Sequence, residues 1–253
     1  MIIAVANQKG GVGKTTTAVS LGAYLSLDRK ILLLDLDPQA NATTALGFDE
    51  KSIDTSIYEV LVDGVELSQA LIPTRHPNLQ MVPSSRRLAG AEVEMVNLMA
   101  REGKLSRALQ PALADIDLAI IDCPPSLGLL TVNALTAADA VIIPVQCEYL
   151  ALEGLGQLMH TIELVRDSLN PRLSLLGVLL TMHDGRTNLS NQVMDEVRNH
   201  FPGLTFDTVI PRNVRLTEAP SYGKSILEYD PSSRGAHAYT SLAREVAARI
   251  ANV

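Results

Sequence analysis

The sequence predicts an α/β fold: a three-layer arrangement with a mostly parallel, twisted sheet and helices on both faces. Three observations carry this. Six short, near-continuous apolar runs recur along the 253 residues, as strands buried on both faces require. Segments with helical spacing separate them. No linker or internal repeat interrupts the alternation, so a single domain over 1–253 is expected.

The elements follow in order. IIAVA (2–6) reads as the first strand, and a glycine-rich turn leads to a helix starting near Gly13. ILLLDL (31–36), LQMVP (79–83), LAIID (118–122), AVIIPV (140–145) and LLGVLLT (175–181) supply five more strands. Pro124 and Pro125 end the fourth of these six and stiffen the loop after it. Leu155, Leu158, Met159, Ile162 and Val165 mark a helix at i, i+3, i+4, i+7 and i+10. Leu189, Val193, Val197 and Phe201 mark another by a four-residue step, with Thr187 as its N-cap. The last helix carries Tyr239, Leu242, Ala243, Val246 and Ile250, capped by Ser232 or Ser233.

Composition narrows the class. The chain is 47% hydrophobic and 19% charged, enough for a sizeable core, and with 4% aromatics and no Trp the aliphatic residues must fill it. Cys123 and Cys147 are too few for a disulfide framework and suit a reducing compartment or simply small core positions. No apolar run approaches the roughly 20 residues of a bilayer span, so a cytoplasmic protein is expected. The net charge of −7 argues weakly against a nucleic-acid partner, although a local basic stripe can defeat an average.

In open parallel sheets ligands sit beyond the carboxyl ends of the strands. ANQKGGVGKTTTA (6–18) lies there, between the first strand and its helix. A strict phosphate-loop pattern wants Gly, four residues, then Gly-Lys-Ser/Thr. Gly13, Lys14 and Thr15 fit its end, but Gln8 stands where the first glycine belongs. The N–H groups of Gly10, Gly11, Val12, Gly13, Lys14, Thr15 and Thr16 can still cradle a phosphate, aided by the helix N-terminus. Lys14 would neutralise the β- and γ-phosphates, and the Thr15 hydroxyl would ligate Mg²⁺. In LLLDLDPQANATT (32–44), Asp35 and Asp37 are expected on opposite sides of a strand that reaches them, one of them facing the γ-phosphate. Asp122, closing an apolar strand, is placed to hold Mg²⁺ directly or through water.

KGGVGKTT (9–16), DLDPQANAT (35–43), DCPPSLG (122–128), DGRTN (184–188) and IPRNVRLTEAPSYGKSI (210–226) together resemble the ParA/Soj chromosome- and plasmid-partitioning ATPases. These belong to the deviant Walker A group of P-loop NTPases, with MinD and the nitrogenase iron protein. The set is specific where no single motif would be, and it runs through at least Asp230. The resemblance implies that Lys9 is the signature lysine, reaching across an ATP-bound homodimer to the partner's phosphates. It makes Asp37 the residue that orients the attacking water and a member of the Mg²⁺ site, and Asp122 the Walker B acid. Thr181, Met182, Pro211, Arg212 and Asn213 would frame the base and ribose. Arg186 and Arg215 match positions used for non-specific DNA binding. The expected cycle is ATP binding, dimerisation, attachment to nucleoid DNA, and release after hydrolysis stimulated by a ParB-like centromere-binding partner.

Rival readings fit less well. A MinD-like membrane-positioning ATPase would need a basic amphipathic tail. SLAREVAARIANV (241–253) has only Arg244 and Arg249 as cations and reads as a core-packing helix, so no membrane partner is expected. Cys123 and Cys147 do not match cluster cysteines, and no C-x-x-C is present. No acceptor pocket or lid of a small-molecule kinase is legible. The chain starts at its first strand, so a preceding helix-turn-helix and operator-specific binding are not expected.

Overall fold

The computed structural model describes residues 1–148 and 153–251. Seven strands are β1 (Ile2–Val5), β2 (Ile31–Asp35), β3 (Ile72–Pro73), β4 (Leu79–Val82), β5 (Leu118–Asp122), β6 (Ala140–Gln146) and β7 (Ser174–Thr181). The helices are α1 (Lys14–Leu25), α2 (Asn41–Ala45), α3 (Leu88–Met95), α4 (Lys104–Leu109), α5 (Leu129–Ala137), α6 (Glu153–Ser168), α7 (Asn188–His200), α8 (Val214–Ser221), α9 (Ile226–Tyr229) and α10 (Arg234–Ile250). The sheet order is β3-β4-β2-β5-β1-β6-β7. All neighbours are parallel except β3 and β4.

All six apolar runs form the parallel strands. Their side chains alternate between two separate cores, as a period of two dictates. Ile3, Val5, Leu33, Ile120 and Leu179 pack beneath α1, α2, α8, α9 and α10. Ala4, Leu32, Leu34, Ile121 and Leu180 pack beneath α3 to α7. Truncating a side chain as buried as Leu33, which is 0% exposed, costs about 2–5 kcal/mol by lost transfer energy and residual cavity. β3 went unpredicted because two residues carry no periodicity.

Three details differ from expectation. Leu189 is exposed rather than core. A helix turns once per 3.6 residues, so each four-residue step advances about 40° and the ends of such a row diverge. Val193 and Val197 therefore face inward, while Phe201 lies one residue past the helix. Ser233 caps α10 by accepting the Ala236 N–H at 3.1 Å, whereas the Ser232 hydroxyl donates to Asp230. β2 ends at Asp35, so Asp35 and Asp37 are not two strand residues facing opposite ways. On a continued strand they would have shared a face; the turn after Asp35 separates them.

Candidate functional site

The sheet delivers the chain ends of β1, β2, β5 and β7 to one edge, and the cleft lies there. After β1 the chain runs through a loop into α1. Asn7 pins this loop by donating to the Pro144 carbonyl at 2.6 Å and accepting the Lys9 N–H at 2.9 Å. On the other side the Thr181 hydroxyl donates to the Val12 carbonyl at 2.8 Å. Gly13 precedes α1 with φ 90°, a left-handed conformation that strains any residue with a Cβ. No side chain caps the N-terminus of α1. Its first amides and the positive end of its dipole are thus left for an anion.

The two lysines of the loop are placed differently. Lys14 is buried, and its Nζ donates to the Lys9 carbonyl at 3.1 Å. Burial lowers its pKa, opposed by the charges of Asp122, Cys123 and Asp37. Lys9 is exposed and is absent from the cleft wall. Among the described residues its ammonium has no hydrogen bond or ion pair.

The carboxylates also separate. Asp122, the last residue of β5, is 0% exposed, and neither of its oxygens has a hydrogen-bond partner among the described residues. Burial pushes its carboxyl well above the usual carboxylate range and neighbouring Asp35 adds to this; Thr15 and Lys14 act the other way. An orphaned buried carboxylate is costly unless a cation or a proton meets it. That fits Mg²⁺, which takes one or two carboxylates and completes its shell with phosphate oxygens and water. No group of three or more His, Cys, Asp or Glu among the described residues could hold a metal by itself, so such a shell would draw on Asp122, the Thr15 hydroxyl and the nucleotide. Asp37 lines the cleft. Its Oδ1 accepts the Gln39 N–H at 2.9 Å, and its Oδ2 has no hydrogen bond among the described residues.

Asp35 has a different fate. Its Oδ1 accepts the Asp37 N–H at 3.1 Å, and its Oδ2 accepts both the N–H and the hydroxyl of Thr43, at 2.8 and 2.7 Å. Burial pushes its carboxyl up to about 6 although the Thr43 bonds oppose the shift. With its acceptors filled by protein donors, Asp35 braces the loop and Asp37 is left to face the cleft.

The cleft has a volume of about 770 Å³, within the range of small-molecule sites. Gly10, Gly11, Gly13, Lys14, Thr15, Thr16 and Asp37 line it, and so do Thr181, Met182, Pro211, Arg212 and Asn213. Lys9, Val12 and Asp122 do not line it. Met182 has φ 51°, strained for a residue with a side chain and held here at the cleft wall. Arg212 is tied by its Nη2 to Glu148 at 2.6 Å. Sequence reasoning missed Asn7, Ser84, Asn41, Thr44 and Lys224. Asn41 and Thr44 stand inside the stretch after Asp37, and that was the available signal. Asn7 and Ser84 act through partners far along the chain.

The loops after β7 and before α8 run side by side, joined by a bridge between His183 and Pro211. Arg186 lies in the first of these loops and Arg215 in the first turn of α8. Arg186 is held by Asp184 through two bonds of 2.8 and 2.7 Å. This pairing draws the Asp184 carboxyl far below its usual range. Arg215 pairs with Glu218 at 2.8 Å and Asp230 at 3.3 Å. Both arginines are exposed and both are already partnered.

Comparisons with known proteins show the family of this chain. A family model described as an AAA domain matches residues 1–175. The chain is 55% identical to the sporulation initiation inhibitor protein Soj of Bacillus subtilis, over 98% of each chain. It is 54% identical to the chromosome partitioning protein ParA of Myxococcus xanthus, over 98% of this chain and 88% of that one. Among solved structures, one from Mycobacterium smegmatis with bound ATP analog and magnesium is 43% identical, with a TM-score of 0.87 over 96% of this chain and 92% of that one. That protein is named a cobyrinic acid a,c-diamide synthase. The Pyrococcus furiosus cell division ATPase MinD is 25% identical, with a TM-score of 0.78 over 98% of each chain. With its phosphate loop, its β5 carboxylate and near-full-length identity to Soj and ParA, this chain belongs to the ParA/Soj family of chromosome-partitioning ATPases.

Proposed function

We propose that the protein is a Mg·ATP-dependent ATPase that dimerises on ATP, binds DNA without sequence preference and drives chromosome or plasmid segregation with a ParB-like partner. The observation that carries the dimer is Lys9. A cation with no partner among the described residues, on the loop that cradles the phosphates, is suited to a second subunit's γ-phosphate. A charge supplied from the partner makes ATP occupancy and dimerisation interdependent.

The residues divide the work. Lys14 and the first-turn amides of α1 bind the β- and γ-phosphates. Thr15 and Asp122 would hold Mg²⁺, with Asp37 close to the same phosphates. A bound Mg²⁺ would neutralise charge that develops on the phosphate oxygens. Asp37, whose Oδ2 is unspent, orients the attacking water. Thr181, Met182, Pro211, Arg212 and Asn213 frame the base and ribose. Arg186 and Arg215 exchange carboxylate partners for DNA phosphates in the dimer, which doubles the number of such cations on one face. The protein is then nucleoid-associated while ATP lasts.

A membrane-positioning role is less well supported. α10 buries Ala236, Tyr239, Leu242, Ala243 and Val246 in the core, so its apolar face is already occupied. No helix among the described residues is long and apolar enough to cross a membrane. The last two residues of the tail lie outside the described residues.

Light scattering coupled to size-exclusion chromatography tests the dimer. The expected mass is a monomer's with ADP and twice that with ATP in an Asp37→Ala background. A monomer under both conditions would remove the proposed role of Lys9.

A further inference from the structure

Both peptide groups of Asp37 are held by other parts of the chain. Its N–H donates to Asp35 Oδ1 at 3.1 Å, and its carbonyl accepts the Ser84 hydroxyl at 2.7 Å. The two holders are themselves joined. Asp35 Oδ2 accepts the Thr43 hydroxyl at 2.7 Å, and Thr43 Oγ1 accepts the Ser84 N–H at 3.0 Å. The bonds close a ring from Asp37 through Asp35, Thr43 and Ser84 back to Asp37. Asp35, Thr43 and Ser84 are all 0% exposed.

The ring takes up the backbone of Asp37 and leaves its carboxylate out. That carboxylate reaches the cleft, while the peptide planes on either side of its Cα are fixed from two directions. Ser84 follows β4, and Asp35 ends β2, so the position of Asp37 is referred to two neighbouring strands as well as to its own loop, where its carbonyl also accepts the Ala40 N–H at 2.9 Å. Buried hydrogen bonds in a low dielectric are strong and polarise one another. A catalytic group needs placement within about 0.5 Å, and a remote change that shifts it by about 1 Å can cost roughly 100-fold in rate.

We infer that Thr43 and Ser84 are positioning residues for ATP hydrolysis, clamping with Asp35 the peptide groups of Asp37. This rests on Asp37 as the water-orienting residue proposed above. Buried polar groups need partners in any fold, so a merely structural ring is the alternative. It would lower folding and nucleotide affinity together. A clamp lowers turnover while ADP binding stays intact, because ADP makes no use of the attacking water.

The test compares variants that keep or remove the hydroxyl: Ser84→Thr with Ser84→Ala, and Thr43→Ser with Thr43→Val. Three quantities are read on the full chain: Mg·ADP affinity by calorimetry, single-turnover ATP hydrolysis, and amide exchange of the segment 36–40. Ser84→Ala and Thr43→Val should keep ADP affinity within about twofold and lose hydrolysis by about 10- to 100-fold. Both should exchange faster over 36–40. Ser84→Thr and Thr43→Ser should stay near the parent in all three. Unchanged hydrolysis without the hydroxyl would overturn the inference, and so would loss of ADP binding in step with hydrolysis, including failure to fold. Equal hydrolysis by the parent and Asp37→Ala would instead remove the underlying role of Asp37. In that case exchange over 36–40 still decides whether the ring clamps this segment.

Discussion

The Nζ of Lys14 donates to the main-chain carbonyl of Lys9 at 3.1 Å. One lysine thus stays under the loop, buried, and fixes the backbone from which the other projects outward. The two positive charges of the loop serve different chains in this account.

Substituting them should separate two functions. Lys14→Ala should weaken ATP binding by about 10- to 100-fold, the loss of a charge-assisted contact worth about 1.5–3 kcal/mol. Lys9→Ala should bind nucleotide close to the parental affinity and remain monomeric with ATP. Calorimetry and light scattering on the same samples check both. A fully dimeric Lys9→Ala protein contradicts the cross-subunit role.

Asp37→Ala should lower hydrolysis by about 10²- to 10⁴-fold, the range for a group acting on the attacking nucleophile. Affinity for ATP should change little, since the interaction lost belongs to the transition state. The ATP dimer should therefore persist for longer. Parental turnover in this variant would move the role to another group. Asp35 is a poor substitute because its acceptors are taken by Asp37 and Thr43.

The Asp122 carboxylate, unpartnered among the described residues, predicts a metal-linked gain in stability. ATP with Mg²⁺ should raise the thermal midpoint of the parent more than ATP with EDTA, by mass action on the folded state. Asp122→Asn removes the buried charge and should erase most of that difference. Its nucleotide-free stability should not fall below that of the parent by more than about 1 kcal/mol, because the Asp122 carboxylate has no hydrogen-bond partner to lose among the described residues. An undiminished Mg²⁺ effect in Asp122→Asn would place the ion elsewhere.

Much of this was legible in the letters, and the remainder was not for identifiable reasons. The six long strands could be read because burial on both faces leaves continuous apolar runs. The phosphate loop could be read because its glycines, Lys14 and Thr15 are contiguous. Thr187 was recognisable as a cap, and its hydroxyl accepts the Ser190 N–H at 3.3 Å. The distinction between Asp35 and Asp37 was not readable from their spacing. It depends on where β2 stops and on Thr43 and Ser84, the second of which lies 47 residues from Asp37. Asn7 acts through Pro144, a partner 137 residues away. Such pairings belong to the topology of the sheet. The carboxylate partners of Arg186 and Arg215 lay nearby in sequence but became visible only with side-chain geometry.

Those partners set a cost on DNA binding. Each arginine must leave Asp184, or Glu218 and Asp230, to meet a phosphate. Exposed pairs are worth little because water screens them, so phosphate can compete. If all four arginines of a dimer engage, log K should fall against log salt with a slope of about −0.9 per contact. Arg186→Glu with Arg215→Glu should abolish DNA retention and leave ATP-driven dimerisation intact. Unchanged affinity in the double variant would put the basic face elsewhere.

The most direct test of the whole account is retention of non-specific duplex DNA by the parent chain at one salt concentration with no nucleotide, with Mg·ADP and with Mg·ATP. Retention is expected with Mg·ATP alone, where Lys9 has a partner's phosphates to reach and the two arginine pairs stand on one face. Equal retention in all three states, or none in any, would contradict it.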